Sequence, residues 1–264
     1  MSTIMAKDID GEVRFLAREL KAPVIAETFT ALGDQARDQG WSHEEYLAAV
    51  LGRQVASRAV NGTRMRISAA HFPQIKTLED FTLTHITTAS RDVIAHLATT
   101  TFVARRENVV LLGPPGTGKT HVAIALAIKA AEATYPVAFD SATNWITRLA
   151  DAHDHDHGRL AHELKRLTRY RVLVVDEVGY LPFDAASASL FFQLVASRYE
   201  TGSIVLTSNL AFSRWGETLG DDVVAAATID RLVHHAHVIA LDGDSYRTRT
   251  HRAGPPPTTA TKTK

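Results

Sequence analysis

The run NVVLLGPPGTGKTHVAIALAIKAAEA, residues 108–133, reads as a short apolar strand, a glycine-rich turn and a long alanine-rich helix. Its centre, Gly113-Pro114-Pro115-Gly116-Thr117-Gly118-Lys119-Thr120, fits the phosphate-binding pattern G-x-x-x-x-G-K-[ST] at every position. A loop wrapped around phosphates must present consecutive backbone N–H groups inward, and side chains there would block the approach. The helix over residues 120–133 points its positive N-terminal end at those phosphates. In such a loop Lys119 reaches the outer phosphates and the Thr120 hydroxyl can ligate Mg2+. A chance glycine-rich turn is the competing reading, and the strand-loop-helix context speaks against it.

Working outward, 264 residues allow one large domain or a main domain with a smaller appendage. Hydrophobic residues make up 45 % and charged residues 22 %, the balance of a soluble globular chain. Lys+Arg and Asp+Glu stand at 29 each, so net charge does not advertise a nucleic-acid partner, and only local clustering could. Without cysteine, disulfides, zinc-thiolate sites and thiol catalysis are excluded. The opening residues lack the apolar core of a signal peptide, and no apolar run approaches the ~18 residues of a membrane span. The expected location is therefore the cytoplasm, with no membrane partner.

Residues 1–75 read as a helical domain. Pro23 suits a first helical turn, Gly40 a C-terminal cap, and Ser42-His43-Glu44-Glu45 has the S-x-x-E form of a capping box opening a helix to about Ala70. Residues 1–45 hold nine Asp or Glu against five Lys or Arg, whereas residues 46–76 hold Arg53, Arg58, Arg64, Arg66 and Lys76 with no acid. Such a stripe can neutralise phosphates of duplex DNA, dock a protein, or simply be a solvated face paired with the acidic first half.

After the P-loop helix, strands and helices alternate, which predicts an α/β fold with a parallel sheet flanked by helices and ligands at the carboxyl ends of its strands. Val172-Leu173-Val174-Val175-Asp176-Glu177 reads as a strand buried on both faces, ending at Asp176 in two carboxylates. Asp176 there would hold the metal, and Glu177 would orient or deprotonate the attacking water. Ser203 to Asn209 forms a further buried strand, whose Asn209 either senses the γ-phosphate or caps the turn. Arg231 and Arg247 suit transition-state charge on a phosphoryl group, yet spacing alone leaves a surface or ion-pair role the stronger reading. His153-Asp154-His155-Asp156-His157 reads as a polar loop whose alternate residues need not converge on a metal, and His234, His235 and His237 suit packing or hydrogen bonding.

Taken together, several blocks resemble the IstB-like insertion-sequence ATPases, AAA+ proteins encoded beside a DDE-type transposase and similar to helicase loaders of the DnaC type. They are Lys76-Thr77-Leu78-Glu79-Asp80-Phe81, the P-loop with His121, Asp176-Glu177-Val178-Gly179-Tyr180-Leu181-Pro182, Thr207-Ser208-Asn209, Trp215-Gly216-Glu217 and Asp230-Arg231-Leu232 with its histidines. The resemblance covers about residues 10–252. It implies an AAA+ P-loop domain over 76–252 and a small all-helical N-terminal domain over 1–75; the tail 253–264 lies beyond the resemblance, and its run of proline, threonine and lysine predicts disorder. It also implies ATP and Mg2+ as cofactors, ATP-dependent homo-oligomerisation on duplex DNA, bending of that DNA, and delivery to the transposase. Residue by residue, it makes Gly113 to His121 the cofactor-binding stretch, Thr120 and Asp176 the metal residues, and Lys119, Asp176, Glu177, Asn209 and Arg231 the catalytic set. Arg231 matches the arginine finger and Arg247 the second sensor, while Arg53, Arg58, Arg64 and Arg66 are the candidate DNA contacts. A DnaC-like replicative helicase loader, and a scaffold that binds nucleotide but hardly hydrolyses it, are the alternatives.

Overall fold

The computed structural model describes residues 8–81, 87–155 and 157–241. Two compact units divide the chain, Met1–Met65 and Arg66–Lys264.

In the first unit, helices α1 (Ile9–Glu19) and α2 (Pro23–Gln39) are followed by α3 (His43–Ala69), which continues into the second unit. Local sequence fixes their ends. Pro23 occupies the first turn of α2, where its missing N–H costs nothing, and Gly40 closes α2 in the left-handed conformation at φ 66°. The capping box forms as expected: the Glu45 N–H donates to Ser42 Oγ at 3.2 Å, and Glu45 accepts from the Ser42 N–H at 2.7 Å. Ala17, Leu32, Ala36 and Val50 are buried between the helices, and the Gln54 side chain accepts from the Val24 N–H at 3.1 Å.

The second unit carries α4 (Thr88–Ala98), α5 (Thr101–Arg105), β1 (Asn108–Leu112), α6 (Lys119–Glu132), β2 (Val137–Ser141), α7 (Ala142–His155) and α8 (His157–Leu167). It continues with β3 (Val172–Val178), α9 (Ala185–Arg198), β4 (Ser203–Ser208), α10 (Trp215–Leu219), α11 (Asp222–Val233) and β5 (Ala236–Ala240). The strands form one parallel sheet in the order β2-β3-β4-β1-β5. Alternation assigns its faces. Val109, Leu111, Val172, Val174 and Val205 pack with α4, α5 and α6 residues such as Leu97, Phe102 and Leu126. Val110, Leu173, Val175, Ile204 and Leu206 face Trp145, Leu149, Phe191, Leu194 and Leu232 from α7, α9 and α11. Residues 66–81 are built into this unit: Ala70 is fully buried, and its carbonyl accepts from the Phe139 N–H at 3.0 Å.

Three local expectations are corrected. The strand expected to end at Asp176 runs on to Val178, past an irregularity in its pairing with β4. The residues read as a His-Asp loop begin inside α7, which extends to His155, because a polar run is compatible with the solvent side of an amphipathic helix. The short helices α5 and α10 escaped detection, since five residues are too few to show a helical period. The proline-threonine tail lies outside the described residues.

Candidate nucleotide site

The site is assembled where β1, β3 and β4 end and α6 begins. Gly113 and Gly118 show why the turn tolerates no side chain there. Gly113 has φ 149° and a Cβ would come within 2.2 Å of the Leu241 carbonyl oxygen; Gly118 has φ 91° and a Cβ would meet the Phe81 ring at 2.4 Å. The crowding thus comes from the chain's own carbonyl and ring as well as from any ligand. The Thr117 hydroxyl donates to the Pro114 carbonyl at 2.9 Å and tightens the loop.

Lys119 is buried, and its ammonium donates to the Gly113 and Pro114 carbonyls, each at 2.7 Å. Burial pushes its pKa below the ordinary lysine value, opposed by the nearby charges of Asp176 and Glu177. The Thr120 hydroxyl donates to the Asp176 carboxylate, at 2.9 and 3.1 Å from its two oxygens. Asp176 is itself buried, two residues before the end of β3 and beside α6. A hydroxyl and a carboxylate converging in this way are the hard oxygen donors that Mg2+ takes, so these residues fit the metal. Glu177 is exposed and adopts φ 63°, in the left-handed region that a non-glycine residue rarely enters. Asn209 follows β4, and its side-chain oxygen is buried without a hydrogen-bond partner in the protein.

Other expected site residues fall elsewhere. His121 turns toward residues 77–81: its Nε2 lies 2.7 Å from the Thr77 carbonyl and its ring packs on Phe81 at 5.1 Å. Lys129 pairs with Glu79 at 3.2 Å, so the segment after Pro73 is fastened along α6 at several points. Arg231 is half-buried in the helical layer, its guanidinium 4.5 Å from the Phe192 ring centre and its Nη1 3.3 Å from the Ala227 carbonyl. Arg247 lies outside the described residues. His237 accompanies Glu107 at 3.0 Å, and Tyr199 bonds His234 at 3.2 Å. Among the described residues no group of His, Asp and Glu is arranged to hold a metal ion by itself.

The arginines of α3 do not form one stripe. Arg58 donates to the Leu20 and Lys21 carbonyls at 3.1 and 3.0 Å, and Arg66 donates to the Ala131 carbonyl at 2.8 Å. Arg53 and Arg64 are exposed and, eleven residues apart, share a face to within about 20°.

Sequence reasoning missed Thr207, which bonds both Asp176 and the Glu177 backbone. Its signals were its place in the Thr207-Ser208-Asn209 block and strand alternation, which puts it on the same face as Val205.

A five-stranded parallel sheet with this loop, a buried lysine and a threonine-aspartate pair at its carboxyl edge defines a P-loop nucleotide-binding protein of the AAA+ class. The family model for IstB-like ATP binding proteins matches residues 15–254, and the chain belongs to that family. It is 42 % identical over 241 residues to an insertion sequence IS21 ATP-binding protein of Pseudomonas aeruginosa, spanning 91 % of this chain and 90 % of that one. It is 37 % identical over 233 residues to an insertion sequence IS5376 ATP-binding protein of Geobacillus stearothermophilus, spanning 88 % and 92 %. Among solved structures it is similar to DnaI, with TM-score 0.53 and 20 % identity over 68 % of this chain and 98 % of that one. AMPPCP-bound DnaA from Aquifex aeolicus gives TM-score 0.54 and 19 % identity, over 69 % of this chain and 54 % of that one. At these identities the likeness concerns the fold alone. Among the described residues, no helix is long and apolar enough to cross a membrane.

Proposed function

We propose that this ATP-binding insertion-sequence protein hydrolyses ATP to control its assembly on duplex DNA, bends that DNA, and presents it to a DDE-type transposase. The observation that carries the hydrolytic part is the adjacency of a buried, threonine-bonded Asp176 to an exposed Glu177. A protein that only held nucleotide would have little use for a second carboxylate turned out of the sheet. The insertion-sequence relatives supply the transposition setting.

In this reading the loop N–H groups and Lys119 grip the β- and γ-phosphates, with Lys119 exchanging its two carbonyl acceptors for phosphate oxygens. Thr120 and Asp176 would hold Mg2+, which supplies charge neutralisation across those oxygens. Glu177 takes a proton from the attacking water as its oxygen bonds to the γ-phosphorus and the bond to the leaving ADP oxygen breaks. The unpaired Asn209 oxygen accepts a hydrogen bond from that water. Arg231, carried on α11, and Arg247 would stabilise the developing charge, Arg231 from a neighbouring subunit. Localisation in the cytoplasm goes with this reading.

The test is DNA binding measured with and without ATP. Cooperative assembly on nonspecific duplex DNA with ATP, and none by Lys119→Ala, is the expected result; equal binding with and without nucleotide overturns the proposal. Pull-downs with the transposase and with the replicative helicase separate transposition from helicase loading, and capture of the helicase alone would replace the first reading by the second.

A further inference from the structure

The end of β3 departs from regular pairing where the two carboxylates lie. On β4 the register runs Val175↔Leu206 and then Val178↔Ser208, so Asp176 and Glu177 together oppose the single residue Thr207. This is a β-bulge, and its effect on side-chain direction can be read from the faces of the sheet. Val172 and Val174 pack on the α6 side, and Asp176 continues that face to meet Thr120. Leu173 and Val175 pack on the opposite side, where an unbroken strand would next place residue 177 among Trp145, Phe191 and Leu194. Val178 takes that place instead, and Glu177 is exposed. The extra residue lifts a carboxylate out of an apolar layer where it would be uncompensated.

A bulge breaks a ladder hydrogen bond, and here Thr207 replaces it. The Glu177 N–H donates to Thr207 Oγ1 at 2.9 Å, and the same hydroxyl donates to Asp176 Oδ1 at 2.5 Å. Thr207 is 1 % exposed, so no water can stand in for it without a rearrangement. We propose that Thr207 is a positioning residue for hydrolysis: its one hydroxyl holds Glu177 in the left-handed conformation and Asp176 toward Thr120, fixing both carboxylates in the geometry that the reaction needs.

The inference rests on the hydrolytic reading above and makes a separate claim about Thr207. Thr207→Val keeps the shape and removes the hydroxyl; Thr207→Ser keeps the hydroxyl. Turnover, ATP affinity and amide hydrogen exchange at Glu177 are measured on the full-length protein with duplex DNA and transposase present. For Thr207→Val the expected result is a fall in kcat of at least tenfold, an ATP dissociation constant within about threefold of the parent, and exchange at Glu177 at least tenfold faster. Thr207→Ser is expected to recover kcat to within about threefold and to restore the protection. Unchanged turnover or unchanged exchange in Thr207→Val overturns the proposal. So does equal loss in both variants, or a loss of ATP affinity in place of turnover. Should the parent protein itself fail to hydrolyse ATP, the hydrolytic reading falls, while Glu177 exchange still decides whether Thr207 holds the bulge.

Discussion

Lys119 shows how a single side chain can be costly in one state and decisive in another. Its ammonium sits among the Gly113 and Pro114 carbonyls, and burial lowers its pKa more than Asp176 and Glu177 raise it. A basic group with a depressed folded pKa opposes folding below that pKa, and the penalty is relieved only as pH rises toward its unfolded value. The nucleotide-free protein therefore carries this penalty wherever Lys119 is charged. Lys119→Met is expected to melt no earlier than the parent without ligand, yet to lose the stabilisation by ATP, which for a binding-competent protein is about 2.7 kcal/mol at a hundredfold excess over the dissociation constant. Thermal melts with and without ATP-Mg2+ check both halves, and an ATP-induced shift surviving in the variant contradicts the assignment. Glu177→Gln should behave oppositely. It keeps the shape and the backbone hydrogen bond to Thr207, so ATP affinity persists, while turnover falls by roughly a hundredfold or more in a phosphate-release assay. These roles were legible because residue type and spacing carry them: Gly113 to Thr120 and Asp176-Glu177 announce their chemistry locally. Thr207 was not legible, because its role comes from pairing β4 with a bulge in β3, a contact across 31 residues of chain.

At the scale of elements, the joint between α8, α9, β3 and β4 is held by an arginine that no motif marks. Arg198 is 1 % exposed at the end of α9 and donates to the carbonyls of Leu167, Arg171 and Ser203 at 3.1, 3.2 and 3.4 Å. Burial, with a smaller push from Arg171, lowers its pKa to about 10. The charge is thus kept in place by carbonyl dipoles at the end of α8 and at the starts of β3 and β4. Gly202 leaves room for it, since a Cβ there would lie 2.0 Å from Nη2. Gly202→Ala is expected to displace the guanidinium and destabilise the protein by roughly 1–3 kcal/mol in urea unfolding, with the P-loop unaltered. A change under about 0.5 kcal/mol would show that the joint does not depend on this packing. Periodicity exposed the α9 helix and the β4 strand, but an arginine on a helix reads as a surface residue until the carbonyls around it are known. The same blindness to distant partners hid the continuation of β3 to Val178, since the apolar run stops at Val175 while the pairing does not.

For the whole molecule, an overall charge balance of 29 against 29 means that the proposed binding to duplex DNA would have to use a local surface and not the general field of the protein. The basic half of α3 looked in sequence like one stripe of four arginines. Folding divides it. Arg58 closes the end of α1 through the Leu20 and Lys21 carbonyls and Arg66 caps the Ala131 carbonyl, so these two cations are engaged in the units that contain them. Arg53 and Arg64 remain exposed on a shared face of α3 and are the pair best able to approach phosphate. Each phosphate contact contributes about one unit to the slope of log affinity against log salt. The double variant Arg53→Ala, Arg64→Ala should therefore bind duplex DNA more weakly at low salt and lower that slope by about two per protomer, while ATP affinity and melting temperature stay close to the parent. Arg58→Ala should do the reverse, lowering stability by about 1–2 kcal/mol through the freed α1 carbonyls with little effect on the slope. Titrations across a salt series, run on all three proteins with ATP present, decide it. A slope unchanged in the double variant would move the DNA surface off α3, and a slope that falls equally in Arg58→Ala would mean that the whole helix edge works as one electrostatic surface despite its internal hydrogen bonds.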